Sequence, residues 1–448
     1  MKLSSILGLN SRSSIFGTNS ARAKRIARSK ILTKRILRRA GVPTPRLYKV
    51  FRTDQDLSRF DWGKISSSFA LKPSKSSYGD GIIIIRKKSK DGTAWMTSQR
   101  KKLYSEDLNL HVMDILEGAY SVGNVPDIAF CEEYVGRYKI FKRYAYRGTP
   151  DIRVLVFNSV PVMAMLRLPT RESGGRANLH KGAIGVGIDI ETGITTYAIH
   201  HGEHILHKPG NEKKGGILRK TKFAGIKIPQ WNHILETAVV ASRTSDLDLC
   251  GVDVVLHPER GPLVLELNSQ PGLQIQLANM AGLRKRLERV EDLRVMDAEH
   301  GVRIAKALFP SHLPKKKKAG DGEPETLGVF EKIQIRGFDG KKRTVEAKID
   351  TGAWRTAIDR SLARELGLLR KRNIFWTKKV KSALGKQERP VIGLTFWLRG
   401  KKIDTQVTVA DRRNLAKRVI VGRLDLSGFL IDMSSINRQK RIEAHPGN

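Results

Sequence analysis

The sequence predicts an α/β or α+β body followed by a mostly β domain, and three observations carry that expectation. Between residues 21 and 309, strand-like apolar runs alternate with segments of helical periodicity. Residues 310 to 328, PSHLPKKKKAGDGEPETLG, gather prolines, glycines and a four-lysine run, the composition of an exposed linker. From 329 to 437, short β-type segments recur between Gly-containing turns. A basic segment, 1 to 20, precedes the body and a tail, 438 to 448, follows the β domain. The 448 residues suffice for two or three domains at roughly 100–200 residues each.

In the body, ARAKRIARSKILTKRILRRA (21 to 40) sets Ile26, Ile31, Ile36 and Leu37 near one helical stripe, and Gly41, Pro43 and Pro45 end that helix. FALKP, SKSSYGDG and IIIIRK read as strand, Gly-rich tip and strand. DIAFCEEYV is a further strand, and DIRVLVF and VMAMLRL form a hairpin about Asn158, Ser159, Val160 and Pro161. A polar stretch, RESGGRANLHKGAIG, precedes a helix around Trp231 to Ser242. GVDVVL and PLVLELN then make a hairpin, a basic helix-prone segment runs from Leu273 to about Leu293, and the body closes near Phe309. In the β domain the segments are FEKIQIRGF, RTVEAKID, VIGLTFWL, DTQVTVA, RVIVG and FLIDMS.

Hydrophobic residues at 40% and charged residues at 28% exclude disorder throughout the chain, and no apolar run approaches the roughly 18 residues of a membrane-spanning helix. The 83 Lys and Arg against 44 Asp and Glu leave a net charge of +39, which favours polyanionic partners: nucleotides, nucleic acid, acidic lipid or acidic polypeptides. Cys131 and Cys250 are too few for a disulfide framework, so a reducing, cytoplasmic setting is expected. The opening MKLSSILGL is too short for a secretory signal, whereas the acid-free, Arg- and Ser-rich residues 1 to 40 also match a transit peptide.

The strongest constellation is Asp253 in GVDVV with Glu266 and Asn268 in LELNSQPG. Strand residues two apart share a face, so Glu266 and Asn268 project together and Asp253 joins them from the paired strand. Two carboxylates and an amide form an oxygen cage suited to Mg2+ carrying a nucleotide, the alternative being a hydrogen-bonded polar sheet edge. The loop Ser74 to Gly81 has the small residues and glycines that fold over phosphates, and Lys72 ahead of it offers a point charge or simply a surface lysine.

Taken in order, Lys30 in ARSKILTKRILRRAGVPTP, Lys72 in FALKP, SKSSYGDG, CEEYV, DIRVLVF, RANLHKGA, GVDVVL and LELNSQPG resemble an ATP-grasp ligase. The likeness is to the α-L-glutamate ligase-like branch and covers roughly residues 8 to 290. It implies an α+β ATP-grasp fold with ATP between two subdomains. Lys30 and Lys72 would contact phosphates under a loop supplying Ser76, Ser77, Gly79 and Gly81. Glu132, Glu133, Tyr134 and Val135 would border the adenine, and Asn178, His180 and Lys181 would line the same site. Asp253, Glu266 and Asn268 would hold one or two Mg2+ ions, with Mn2+ as a substitute. The activity implied is carboxylate activation as an acylphosphate followed by amine attack, with Arg153 and Arg167 steadying the developing charge, or else pairing with Asp151 or Glu172. Glutamate as the donated amino acid is an expectation from the family label alone.

In the β domain, AKIDTGA around Asp350, with VIVG downstream, resembles the retropepsin-like, acid-protease-type barrel found with ATP-grasp ligases and labelled a zinc protease. Aspartic proteolysis needs two carboxylates sharing a proton, so one Asp350 per chain implies a homodimer. Zinc is not expected there, because after His312 the only histidine is His445. Three function classes result: a ligase acting on an amino acid and a peptide-like or acidic acceptor, a peptidase or peptide binder centred on Asp350, and a nucleic-acid binder. The last is least favoured, with 6% aromatic residues and basic residues spread along the chain.

Overall fold

The computed structural model describes residues 19–65, 68–76, 79–121, 123–207, 221–310, 325–382, 385–412 and 417–432. Residues 1–18 of the basic segment, Ser77, residues 311–324 of the linker and the 438–448 tail lie outside the described residues. The chain divides into two compact units, Met1–His312 and Leu313–Asn448.

The first unit opens with α1 (Ala21–Arg28) and α2 (Lys30–Arg39) where the periodicity predicts one helix. Ser29 between them is extended (φ −110°, ψ 108°), and its hydroxyl accepts a hydrogen bond from the Leu32 amide, so it stops one helix and caps the next. The buried stripe is Ala23, Ile26, Thr33, Lys34 and Leu37, while Ile31 and Ile36 are half-buried.

A six-stranded sheet follows, built from β1 (Leu47–Phe51), β2 (Phe69–Pro73), β3 (Ile83–Lys88), β4 (Trp95–Thr97), β5 (Lys102–Leu103) and β6 (Ala129–Glu133), with α3 (Asp54–Ser58) and α4 (Ser105–Leu116) between strands. Its order is β1-β6-β2-β3-β4-β5, antiparallel throughout. Strand alternation divides β2 and β6: Phe69, Leu71, Ala129 and Cys131 join a core with Trp62, Trp95 and Leu108 of which Trp62 stacks on Phe69 at 5.8 Å, whereas Ala70, Lys72, Phe130 and Glu132 line a cleft.

The second sheet contains β7 (Asp151–Phe157), β8 (Val160–Leu168), β9 (Ile184–Ile188), β10 (Thr195–His200) and β11 (Glu203–Ile205). After α5 (Trp231–Thr244) come β12 (Leu249–His257) and β13 (Gly261–Asn268). The order is β11-β10-β9-β8-β7-β12-β13, again antiparallel, with both expected hairpins formed. Helix α5 packs on β7, β12 and β13, and Asn19 ties the start of the chain to this sheet by donating to the Leu249 carbonyl (2.8 Å) and accepting from the Leu249 amide (3.1 Å). The basic segment from Leu273 forms two short helices, α6 (Ile275–Ala278) and α7 (Leu283–Glu288), because Met280 adopts a positive φ of 48° between them. Helix α8 (Ala298–Leu308), capped by Asp297, completes the unit.

In the second unit β14 (Glu325–Leu327) pairs with β22 (Phe429–Ile431). The main sheet comprises β15 (Phe330–Arg336), β16 (Lys342–Asp350), β17 (Ala357–Asp359), β18 (Ile374–Ser382), β19 (Gly385–Leu398), β20 (Lys401–Ala410) and β21 (Val419–Gly422), with α9 (Arg360–Glu365) following β17. Its order is β15-β16-β21-β17-β20-β19-β18, and β15 also pairs with β19, closing six strands into a barrel about Ile333, Ile335, Ile358, Phe396 and Val407. No described helix is long and apolar enough to cross a membrane.

Candidate active site

Register on the first sheet creates a lysine-rich wall. Ala70 lies opposite Glu132 and Lys72 opposite Phe130, so Lys72 and Glu132 are diagonal neighbours on one face and their side chains meet at 2.5 Å. From α2, Lys34 reaches the other oxygen of Glu132, also at 2.5 Å. Lys34 is only 2% exposed and Glu132 1%, so a buried carboxylate holds one buried ammonium group and, in Lys72, one half-buried one. Burial works against the charge on Glu132, but Lys34 and Lys72 outweigh it and hold the carboxyl below its ordinary value. Burial pushes the Lys34 and Lys30 ammonium groups down. Lys30, at the first position of α2, donates to the Ser76 carbonyl at 2.7 Å, and its own amide donates to the Ser74 carbonyl.

The second sheet supplies an arginine–carboxylate wall. Asp253 pairs in register with Arg153 on β7 and Glu266 on β13, and Asp151 with Arg167 on β8. Asp253, fully buried, accepts from Arg153 Nε and Nη2 at 2.7 Å each. Arg167 is shared: it donates to both Asp151 oxygens at 2.5 and 2.7 Å and lies 2.7 Å from Asp253 Oδ2. Asn268 Nδ2 donates to the same Oδ2 at 3.2 Å. Burial opposes ionisation of both aspartates; the two guanidinium groups nevertheless hold Asp253 well below its ordinary value, while Asp151, beside the Asp253 charge, is pushed up. The sequence alternative for Arg167, pairing with Asp151, is thus realised, whereas Glu172 instead meets His200 and His201.

These walls line one cleft of about 1110 Å3 that also contains Lys30, Ser76, Gly79, Glu133, Tyr134, Val135, Asn178, His180, Glu266 and Asn268. Ser77 lies outside the described residues. Gly81 and Lys181 do not line it: a Cβ on Gly81 would meet Tyr120 at 2.6 Å, and its carbonyl is 2.8 Å from His111 Nε2, while Lys181 sits 3.7 Å from Asp80. Glu133 is tied down by Arg260 and by the Arg46 amide (3.0 Å), and Tyr134 by Arg86 at 3.0 Å. Val135 packs with Val255, Leu263 and Leu265 as an apolar patch. Asn178 accepts from the His180 amide at 2.9 Å and so starts the turn carrying His180. Sequence reasoning missed Lys34, although it lies one helical turn from Lys30, and it missed Arg176 and Arg28 on the cleft wall.

Nine Lys and Arg residues line the cleft against four Asp and Glu, an excess that matches a polyphosphate. The Ser76 hydroxyl is buried there with no hydrogen-bond partner among the described residues, a donor that a phosphate oxygen would satisfy. Asp253, Glu266 and Asn268 are the hard oxygen donors that Mg2+ or Mn2+ takes, and Glu266 and Asn268 are the two that face the cleft while Arg153 and Arg167 engage Asp253. The residues therefore fit Mg-ATP.

A family model described as sugar-transfer associated ATP-grasp matches residues 11–292. The chain belongs to that family. It is 27% identical over 176 residues to a probable α-L-glutamate ligase of Aeromonas salmonicida, covering 36% of this chain and 44% of the relative. It is 32% identical over 140 residues to a probable α-L-glutamate ligase of Psychromonas ingrahamii, covering 30% and 32%. The matches thus span less than half the length of either relative. Among solved structures, the ATP-grasp ligase PsnB complexed with a minimal precursor covers 57% of this chain and 56% of its own, at 16% identity and a TM-score of 0.28.

In the second unit Asp350 ends β16, level with Gly422 on parallel β21. Its Oδ1 accepts from the Gly352 and Ala353 amides at 2.9 and 3.1 Å, which fixes the turn locally.

Proposed function

We propose that the ATP-grasp unit is an ATP-dependent carboxylate–amine ligase that joins an amino acid, such as glutamate, to a peptide or small-molecule acceptor. The observation that carries this reading is the facing of a lysine-rich wall and an arginine–carboxylate wall across one cleft. ATP with Mg2+ would supply the phosphoryl group that turns a carboxylate into an acylphosphate, with ADP leaving. Lys30, Lys72, Ser76 and Gly79 would bind the phosphates, Glu132 to Val135 would border the base, and Asp253, Glu266 and Asn268 would hold the cation. Arg153 and Arg167, fixed by paired carboxylates, would face the acyl oxygen as always-charged donors while the amine nitrogen attacks, phosphate departs and the amine loses a proton. Asn178 belongs to the same proposed set as a wall residue and Ser77 stays in it on the sequence reading alone, whereas Gly81 and Lys181, which do not line the cleft, are not carried into it.

The net charge of +39 supports an acidic acceptor, and the family description makes sugar-derived acceptors a necessary part of any substrate panel. The test is phosphate release from Mg-ATP against amino acids, acidic peptides and amino sugars, with Glu266→Ala as the blank. Release that needs both Glu266 and one panel member, with a mass gain equal to the joined acid less water, is expected. No nucleotide-dependent release with any member would overturn the reading.

The closed barrel carrying Asp350 at a strand end supports a retropepsin-like second unit, which would bind or cut a peptide as a homodimer. Asp350→Asn should abolish any peptide cleavage and leave phosphate release intact; a loss of phosphate release instead would count against separate roles for the two units.

A further inference from the structure

Among the described residues, one group of three metal-ligating side chains stands apart from the proposed cation donors: Glu172, His200 and His201, whose ligand atoms all lie within 4.8 Å of one another. Consecutive strand residues point to opposite faces, so two adjacent histidines do not normally meet. Here His200 ends β10 and His201 enters the tight turn to β11 with φ 52°, followed by Gly202 at φ 83°. That left-handed conformation, normally given to Asn, Asp or Gly in such a turn, brings the two imidazole rings together at 4.1 Å. Glu172 arrives from the polar stretch between β8 and β9, where its carboxylate lies 2.9 Å from His201 Nε2 and 3.4 Å from His200 Nε2. Gly182 (φ 88°) leaves room for that carboxylate, since a Cβ there would come within 2.5 Å of the Glu172 carboxyl carbon. His200 Nε2 donates to the Gly182 carbonyl at 3.1 Å, a hydrogen bond that this nitrogen would exchange, with release of its proton, for a bond to a cation.

We propose that Glu172, His200 and His201 form a site for a zinc-class divalent cation, which fastens the 170–182 segment to the β10–β11 hairpin. Two imidazole nitrogens, one carboxylate and an open position are a zinc-type donor set, unlike the oxygen donors at Glu266 and Asn268. The same segment carries Gly174, Arg176, Asn178 and His180 into the cleft, so the cation would order one wall of it from outside. The proposal does not depend on the ligase reading.

The test is Zn2+ calorimetry and Co2+ absorption on the untagged full chain in excess Mg2+, comparing wild type with His200→Ala, Glu172→Gln and His201→Asn. The last keeps a residue that tolerates the turn. We expect one equivalent bound with the absorption of four-coordinate Co2+, and an affinity loss of at least about tenfold in each variant, the lower end of what losing even an outer partner of a metal ligand costs. Zn2+ should also slow tryptic cleavage after Arg171 and Arg176 in wild type and not in His201→Asn. Absence of binding, binding equal in all four proteins, or cleavage unaffected by Zn2+ would overturn the proposal.

Discussion

The two walls of the cleft solve the problem of buried charge in opposite ways. On the first sheet a single carboxylate, Glu132, serves two lysines from different elements, leaving a surplus of positive charge. On the second sheet two carboxylates, Asp151 and Asp253, serve two arginines, and Arg167 is shared between them. Burying a charge costs several kcal/mol unless it is paired with good geometry, so two cations on one carboxylate leave charge for a further anion, while on the other wall each guanidinium already has a carboxylate. The difference is consistent with the proposed binding of phosphate on the lysine side. It also explains the choice of cation, because a guanidinium holds a fixed bidentate geometry against a carboxylate and an ammonium remains a point charge.

The largest effect expected from breaking this contrast is at the shared acid of the lysine wall. Glu132→Ala leaves the buried Lys34 and the half-buried Lys72 without their shared carboxylate and should cost about 3–5 kcal/mol in urea unfolding. Asp253→Asn should cost less, near the lower end of that range at about 3 kcal/mol, because Asp151 still holds Arg167 and the asparagine oxygen can still accept from Arg153; an equal or greater loss than at Glu132 would erase the distinction. A pH series sharpens it further. Glu132 is held below its ordinary value of 4.5 in the folded state, so the unfolded chain binds the proton more readily. Its contribution is present above that value and lost as pH falls through the folded one, with a slope of up to about 1.4 kcal/mol per pH unit that Glu132→Gln should remove. The smallest effect is expected at Lys34→Met, within about 1 kcal/mol, since Lys72 still pairs with Glu132 and a buried ammonium is removed. If the lysine wall binds phosphate as proposed, that variant should weaken nucleotide binding measured by calorimetry; unchanged affinity would show that Lys34 takes no part in it.

Much of the site was legible because local pattern and chain order carry it. Alternation in LELN and the paired GVDVVL placed Asp253, Glu266 and Asn268 together, as the observed register has them. The same reasoning failed where a side chain's fate depends on a distant element. Glu133, expected beside the base, lines the cleft but is held by Arg260 of the β12–β13 turn and by the Arg46 amide, neither of which a strand pattern names. Lys34 was legible in principle from its helical spacing to Lys30 and Leu37, yet charge normally signals the exposed face, and only Glu132 from β6 makes its burial tolerable. The helix break at Ser29 was hidden because serine's capping role depends on where the chain turns, and here the Ser74 carbonyl takes the Lys30 amide.

The sequence by itself determined the two-part architecture, the hairpins and the faces of the strands, because apolar periodicity and turn residues act over a few neighbours and set which side chains share a side. Only the tertiary structure decided which charges meet. Arg153, Asp253 and Arg167 lie 100 and 86 positions apart along the chain and come together by strand order alone. The adjacent His200 and His201 share a site with Glu172 because a left-handed turn cancels the strand's alternation. Electrostatic pairing is strong at a few ångströms and sharply weaker beyond, so which buried charges are paired, and which cation has charge to spare, is fixed by the packing of elements that the sequence orders only one at a time.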